Sequence, residues 1–154
     1  MNYKELKKLN LSNNNISGIK ILNKVKLEQL EELDLNSNKI IDINILEKVN
    51  FKELKKLDLS YNKISDIKIL EKVKFEKLEI LQLIWNDISD INILEKVNFK
   101  ELKELYLNRN NISDIKVLEK VKLEKLYLVN NKVSGSENEL IISKLQSKIK
   151  YFSI

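Results

Sequence analysis

Leu54-Lys55-Lys56-Leu57-Asp58-Leu59-Ser60-Tyr61-Asn62-Lys63-Ile64-Ser65-Asp66-Ile67-Lys68-Ile69-Leu70 is the stretch that decides the fold. Leu57 and Leu59 alternate with polar residues, which marks a short strand with one buried face. Ile64, Ile67 and Leu70 then fall three apart, the spacing of a short α or 3-10 segment. The stretch recurs: Leu6, Leu30, Leu54, Leu78 and Leu102 stand in register at a period of 24 residues. A fixed period this short describes stacked supersecondary units, none of which buries its apolar face alone.

The repeat positions form clean columns. The fourth holds Leu9, Leu33, Leu57, Leu81, Leu105 and Leu126, and the sixth Leu11, Leu35, Leu59, Leu83, Leu107 and Leu128. The ninth is Asn14, Asn38, Asn62, Asn86, Asn110 and Asn131. An amide buried there is expected to bond the bending backbone and the next asparagine, satisfying groups the strand no longer pairs. Phe51, Phe75 and Phe99 share a column with Tyr3, Leu27 and Leu123 behind the returning segment. Ser65-Asp66, Ser89-Asp90 and Ser113-Asp114 precede that segment and offer capping oxygens. The Asp42, Asp66, Asp90, Asp114 column also suggests calcium, but capping accounts for each of these residues.

The ends differ from the middle. Leu105 to Leu126 is a step of 21 residues, and the pattern stops after Val133. Ser136 to Glu139 reads as a capping box before the one-sided stripe Leu140, Ile141, Leu145, Ile149, and Tyr151 to Ile154 as a last short strand. The expected division is therefore repeats over 1–135 and a C-terminal cap over 136–154. No cap precedes Leu6. The first strand is then an open edge guarded by Lys4, Lys7 and Lys8, which belongs to a longer array or to an end that pairs with something.

A second period of 48 residues lies inside the first, because Asn50-Phe51-Lys52-Glu53 and Asn98-Phe99-Lys100-Glu101 match. Its consequence is electrostatic. Stacked columns alternate in sign: Lys7, Glu31, Lys55, Glu79, Lys103; Glu28, Lys52, Glu76, Lys100, Glu124; and Gln29, Glu53, Lys77, Glu101, Lys125. Opposite charges on neighbouring rungs attract by roughly 0.2–1 kcal/mol per pair, and equal ones repel.

The motif Leu54-x-x-Leu57-x-Leu59-x-x-Asn62-x-Ile64-x-x-Ile67-x-x-Leu70 resembles the leucine-rich repeat superfamily. Its Ile-x-x-Ile-x-x-Leu return is similar to the short-repeat subclass of bacterial internalins and phosphatase regulatory subunits, although the present repeat is longer than is usual there. The resemblance covers Tyr3 to Val133. It implies an α/β solenoid, a right-handed arc or horseshoe with a concave parallel sheet and short α or 3-10 segments on the convex side. It also implies a partner-binding role without catalytic residues.

Composition narrows the function. Histidine and cysteine are absent, which removes disulfides, thiol catalysis and the commonest zinc ligands. No Gly-rich phosphate loop is present, so neither an enzyme nor a bound cofactor is expected. No apolar run reaches the roughly 18 residues of a membrane span. The opening Met-Asn-Tyr-Lys-Glu-Leu enters the repeat without a signal peptide. These features together lead to the expectation of a cytoplasmic protein. The net charge of +5 is mild and the signs are interspersed.

The third, fifth and seventh repeat positions alternate with the buried leucines and are expected on the concave face, with the eighth at its edge. The early repeats present Asn10, Asp34 and Asp58 in the fifth position and Ser12, Asn36 and Ser60 in the seventh. The later ones present Tyr61, Ile80, Ile84, Trp85, Tyr106, Arg109 and Tyr127. These exceptions fall on adjacent rungs and are expected to be neighbours in space. Trp, Tyr and Arg carry most interface energy, and contiguous exposed apolar patches mark interaction sites. The sequence thus points to a non-catalytic module that binds another protein through this patch. Nucleic acid is the competing ligand, since lysines and aromatics share the face. Glu31, Glu32, Asp34, Asp58, Glu79 and Glu104 interrupt the positive charge that a phosphate-tracking groove needs. A third reading is self-association through the N-terminal edge.

Overall fold

The computed structural model describes residues 3–154, so Met1 and Asn2 of the opening hexapeptide lie outside it. Seven three-residue strands form one open, all-parallel sheet in sequence order. They are β1 (Lys8–Asn10), β2 (Glu32–Asp34), β3 (Lys56–Asp58), β4 (Ile80–Gln82), β5 (Glu104–Tyr106), β6 (Lys125–Tyr127) and β7 (Tyr151–Ser153). Between successive strands from β1 to β6 the chain returns through 3-10 helices at Lys20–Lys24, Asn44–Lys48, Lys68–Glu71, Asn92–Glu95 and Lys116–Lys120. One α-helix, α1 (Ser136–Lys148), separates β6 from β7. The architecture is a leucine-rich-repeat solenoid, with the sheet on one side and the 3-10 segments on the other.

The leucine columns set the register. Leu9, Leu33, Leu57, Leu81, Leu105 and Leu126 stand opposite one another from strand to strand, and Phe152 closes the row. A slip by one residue would turn the whole row to solvent. From Leu33 to Leu126 each is at most 1% exposed, a burial worth about 1.5–3 kcal/mol per leucine. The returning apolar residues Ile43, Leu46, Ile67, Leu70, Ile91, Leu94, Ile115 and Leu118 meet them from the 3-10 side. Phe51 and Phe75 stack behind with centroids 6.2 Å apart. The shortened step costs nothing in register. Leu105 still pairs with Leu126, because Leu123 leads directly into β6 and one x-x-Leu triplet of the connection is missing.

The asparagine column works through backbone, not through the next asparagine. Asn62 Nδ2 donates to Leu35, Leu59 and Ser60 carbonyls at 3.1, 3.0 and 3.0 Å. Its Oδ1 accepts from the Ile40 amide of the preceding repeat at 2.9 Å. Asn38, Asn86 and Asn110 repeat this pattern. The aspartate column caps: Asp42, Asp66, Asp90 and Asp114 each accept from the amide two residues on, the first of a 3-10 helix, at 2.7–2.9 Å. The serines beside them make no such bond.

Several charge alternations are realised as ion pairs. Glu31 bridges Lys7 and Lys55 at 3.1 and 2.6 Å, Glu79 meets Lys103 at 3.1 Å, and Glu53 meets Lys77 at 2.6 Å. These pairs are exposed and individually weak.

The two ends confirm that burial needs a neighbour on each side. Leu6, Leu9, Leu11 and Ile16 are half-buried, whereas their equivalents Leu30, Leu33, Leu35 and Ile40 are buried. At the other end α1 packs against the 3-10 helix at Lys116–Lys120 and buries Ile141 and Leu145, with Ile149 buried just after it. Its start corrects the capping-box expectation. Ser136 already lies within the helix, Gly135 precedes it at φ 93°, and no side chain makes the capping bond. Only glycine takes that φ at ease, so the turn chemistry moves the boundary. Asn138 instead ties the first turn down, donating to Ser134 and Ser113 carbonyls at 2.7 and 2.9 Å.

Candidate functional site

The eighth repeat position is where the chain leaves the strand and turns toward the buried asparagine. Every occupant is left-handed: Asn13, Ser37, Tyr61, Trp85, Arg109 and Asn130 have φ between 52° and 61°. Asparagine tolerates this region through local hydrogen bonds, but a residue with a full side chain pays roughly 1–2 kcal/mol. Three consecutive repeats place Tyr61, Trp85 and Arg109 there. Their side chains stack on one another. Tyr61 and Trp85 have centroids 5.4 Å apart at 26°, and Arg109 Cζ sits 4.5 Å from the Trp85 centroid. Rungs of a parallel sheet are spaced at about 4.8 Å, so one side chain per rung falls naturally at stacking distance. Tyr61 and Trp85 remain 46% and 49% exposed. The indole is therefore an outward ridge and not a core group.

A second stack lies on the strands themselves. Tyr106 and Tyr127 pair in register, with centroids 4.9 Å apart and an interplanar angle of 8°. The Tyr106 hydroxyl donates to Glu104 Oε2 at 2.7 Å, and Glu104 also meets Lys125 at 2.8 Å. Burial pushes the Tyr106 phenol up, the Glu104 carboxylate adds to this, and it reaches about 12. Burial opposes ionisation of Glu104, but Lys125 and the Tyr106 hydroxyl outweigh it, so its carboxyl lies below the ordinary range.

Ile80 and Ile84 are half-buried. Ile80 interrupts a charged column between Lys56 and Glu104. No ring contact joins the two stacks among the described residues, so five of the seven sequence-identified residues form two groups, and Ile80 and Ile84 belong to neither stack. Two buried amide oxygens in this region, Gln82 Oε1 and Asn108 Oδ1, have no hydrogen-bond partner.

Ser60 corrects one expectation. It is not presented on the surface but is 1% exposed. The reason lies in the fifth column. Asn10, Asp34 and Asp58 each use Oδ1 to accept from the amide two residues on, at 2.9 Å. Gln82 does not, and Ser60 Oγ instead accepts from the Ile84 amide at 3.2 Å. The apolar substitution at Ile84 is thus supported from the preceding rung.

Other chemistry is thin. Among the described residues no group of three or more His, Cys, Asp or Glu could hold a metal ion. No helix of the described residues is long and apolar enough to cross a membrane. A groove on the 3-10 side is lined by Ser65, Asp66, Lys68, Ser89, Asp90 and Lys96, whose two aspartates are already spent on capping.

A sheet of stacked short strands with side chains ranked along its open face defines a repeat solenoid. Residues 4–48 match the family described as "Leucine Rich repeats (2 copies)", and residues 53–67 match "Leucine Rich repeat". The chain is a leucine-rich repeat protein. No curated protein matches it. Solved structures do. An internalin from Listeria monocytogenes is 28% identical, with 97% of this chain and 47% of the internalin covered and a TM-score of 0.73. A leucine-rich repeat protein of Leptospira interrogans shares the fold at 24% identity, over 98% of this chain and 43% of that one, with a TM-score of 0.70. The plant peptide hormone receptor RGFR1 in complex with RGF2 is 25% identical over 84% of this chain and 21% of the receptor, with a TM-score of 0.62. The chain spans less than half the length of each of these three.

Proposed function

We propose that this chain is a non-catalytic protein-interaction module. Its partner lies on the concave face and on the ridge made by Tyr61, Trp85 and Arg109, with Ile80, Ile84, Tyr106 and Tyr127 completing the contact. On this reading the repeats over 1–135 carry the surface and the segment 136–154 seals the core.

The observation that carries the proposal is the exposed Tyr61–Trp85–Arg109 stack on left-handed backbone. Large side chains there cost conformational energy, and strained backbone clusters at ligand-binding positions. The types gathered are those of binding hot spots. A neighbouring fold, the plant receptor, was solved in complex with RGF2, which suits a partner-binding solenoid. Affinity capture with the natural chain, against a Tyr61/Trp85/Tyr106 triple alanine variant, tests the reading. Trp85→Ala alone should keep the circular dichroism spectrum and weaken the captured partner by about 2 kcal/mol or more. Equal capture and equal affinity would refute the patch.

A further inference from the structure

Arg109 is the only arginine in a chain that otherwise uses lysine for every cation. The distinction matters at this position. A lysine ammonium is a point charge, whereas a guanidinium is planar, stacks on a ring face and keeps its donors in the plane, free for a bidentate acceptor. The structure uses the first property: Arg109 lies over Trp85, whose other neighbour is Tyr61. The second property is unused. Among the described residues the Arg109 side chain makes no hydrogen bond and no ion pair. On the sheet Lys8 is claimed by Glu32 at 2.7 Å and Lys125 by Glu104 at 2.8 Å, whereas Lys56 on β3, like Arg109, makes no ion pair among the described residues. The guanidinium is thus held in place by the indole, so little side-chain freedom remains to be lost when an acceptor arrives.

Resting on the protein-binding reading above, we infer that Arg109 is the receptor for a carboxylate of the partner, an Asp or Glu side chain flanked by a large apolar residue that covers Ile80 and Ile84. The apolar neighbour follows from the half-buried isoleucines on the rung of Trp85. The carboxylate follows from charge. The same face carries Asp34, Asp58 and Glu104, and the Glu104 charge is already balanced by Lys125. Arg109 and Lys56 stand on this face without an ion pair among the described residues, and of the two only the guanidinium offers paired in-plane donors that a carboxylate can take bidentately. A phosphate group of about two charges would meet more repulsion from the Asp34 and Asp58 carboxylates of this face than a carboxylate of one charge does.

The test is selection of phage-displayed random dodecapeptides on the full chain, followed by fluorescence anisotropy with labelled synthetic peptides. The variants are Trp85→Ala, Arg109→Lys and Arg109→Gln, each checked by circular dichroism. Peptides that depend on Trp85 should share an Asp or Glu beside a large apolar residue. Arg109→Lys should weaken them about tenfold and Arg109→Gln about 30-fold or more, the cost of breaking a charge-assisted pair. Replacing the peptide acid by its amide should cost as much, with no added loss in Arg109→Gln. Peptides that need Trp85 but ignore both Arg109→Gln and the amide replacement would overturn this inference and leave the protein-binding reading standing. A phosphoserine peptide that binds more tightly than its acidic counterpart would overturn the choice of carboxylate. A selection that yields only binders indifferent to Trp85→Ala would overturn both readings.

Discussion

Replacing Asn62 by alanine separates the two jobs of the asparagine column. Its amide donates to three carbonyls, and each of those keeps another donor when Asn62 is gone. Leu35 O still receives Asn38 Nδ2 at 3.0 Å, Leu59 O receives Asn86 Nδ2 at 3.0 Å, and Ser60 O receives the Ser37 amide at 3.0 Å. The Ile40 amide has no such reserve, since its acceptor is Asn62 Oδ1 alone and Ile40 is fully buried. One orphaned buried N–H costs about 1–3 kcal/mol, and the lost donations add a smaller term, so Asn62→Ala should destabilise by about 2–4 kcal/mol. Asn14 is the control. It is exposed, and among the described residues it bonds only the Leu11 and Ser12 carbonyls of its own repeat, at 3.0 and 2.9 Å. Asn14→Ala should therefore cost less than about 1 kcal/mol. Urea unfolding followed by far-ultraviolet circular dichroism measures both. Losses equal within about 0.5 kcal/mol would show that the column stabilises by local turn geometry and not by serving the preceding repeat.

Two further outcomes concern titration. Glu31 is held down to about 2 by hydrogen bonds from Lys55 and then Lys7, so its pairs stabilise the fold above the ordinary value of 4.5 and are lost as pH falls toward about 2. The urea midpoint of the natural chain should drop more across that window than that of Glu31→Gln; parallel curves would remove the ladder from the acid response. Tyr106, pushed up to about 12 by burial and then by Glu104, stays neutral as pH rises through 10.0, the ordinary tyrosine value. Its contribution is present below that value and lost toward 12, so phenolate absorbance should show a late-titrating tyrosine that Glu104→Gln shifts down. An unchanged titration curve in Glu104→Gln would exclude that carboxylate as a cause.

The fold was legible because it rests on periodicity. Leucines at the fourth and sixth positions, an asparagine at the ninth and apolar residues three apart give strand, bend and 3-10 return, and six copies reinforce one another. What escaped was conformational. Asn13 and Asn130 in the eighth column are ordinary left-handed residues, and they were the signal that Ser37, Tyr61, Trp85 and Arg109 share their backbone. Residue type alone hid it, because nothing about a tryptophan announces a positive φ. The burial of Ser60 escaped for a related reason: it answers a missing oxygen at Gln82, one rung away, and no single repeat contains both. Ser136 misled because the capping-box pattern was present while Gly135 had already set the turn.

The site is harder to read than the fold because it consists of departures from the repeat, and a departure acquires meaning only when its neighbours on adjacent rungs are known. Backbone strain at one eighth position could be an accident of drift. Three in succession, each carrying a large side chain at stacking distance from the next, lose about 1–2 kcal/mol apiece in conformation. They regain about 0.5–1.5 kcal/mol for an aromatic pair and a similar amount for a cation on indole. The three losses come to about 3–6 kcal/mol and the two contacts return about 1–3 kcal/mol, so the stack does not stabilise the fold. A ridge that costs the fold more than its own contacts return, and that stays exposed with a guanidinium free of ion pairs among the described residues, has the profile expected of the binding surface proposed above.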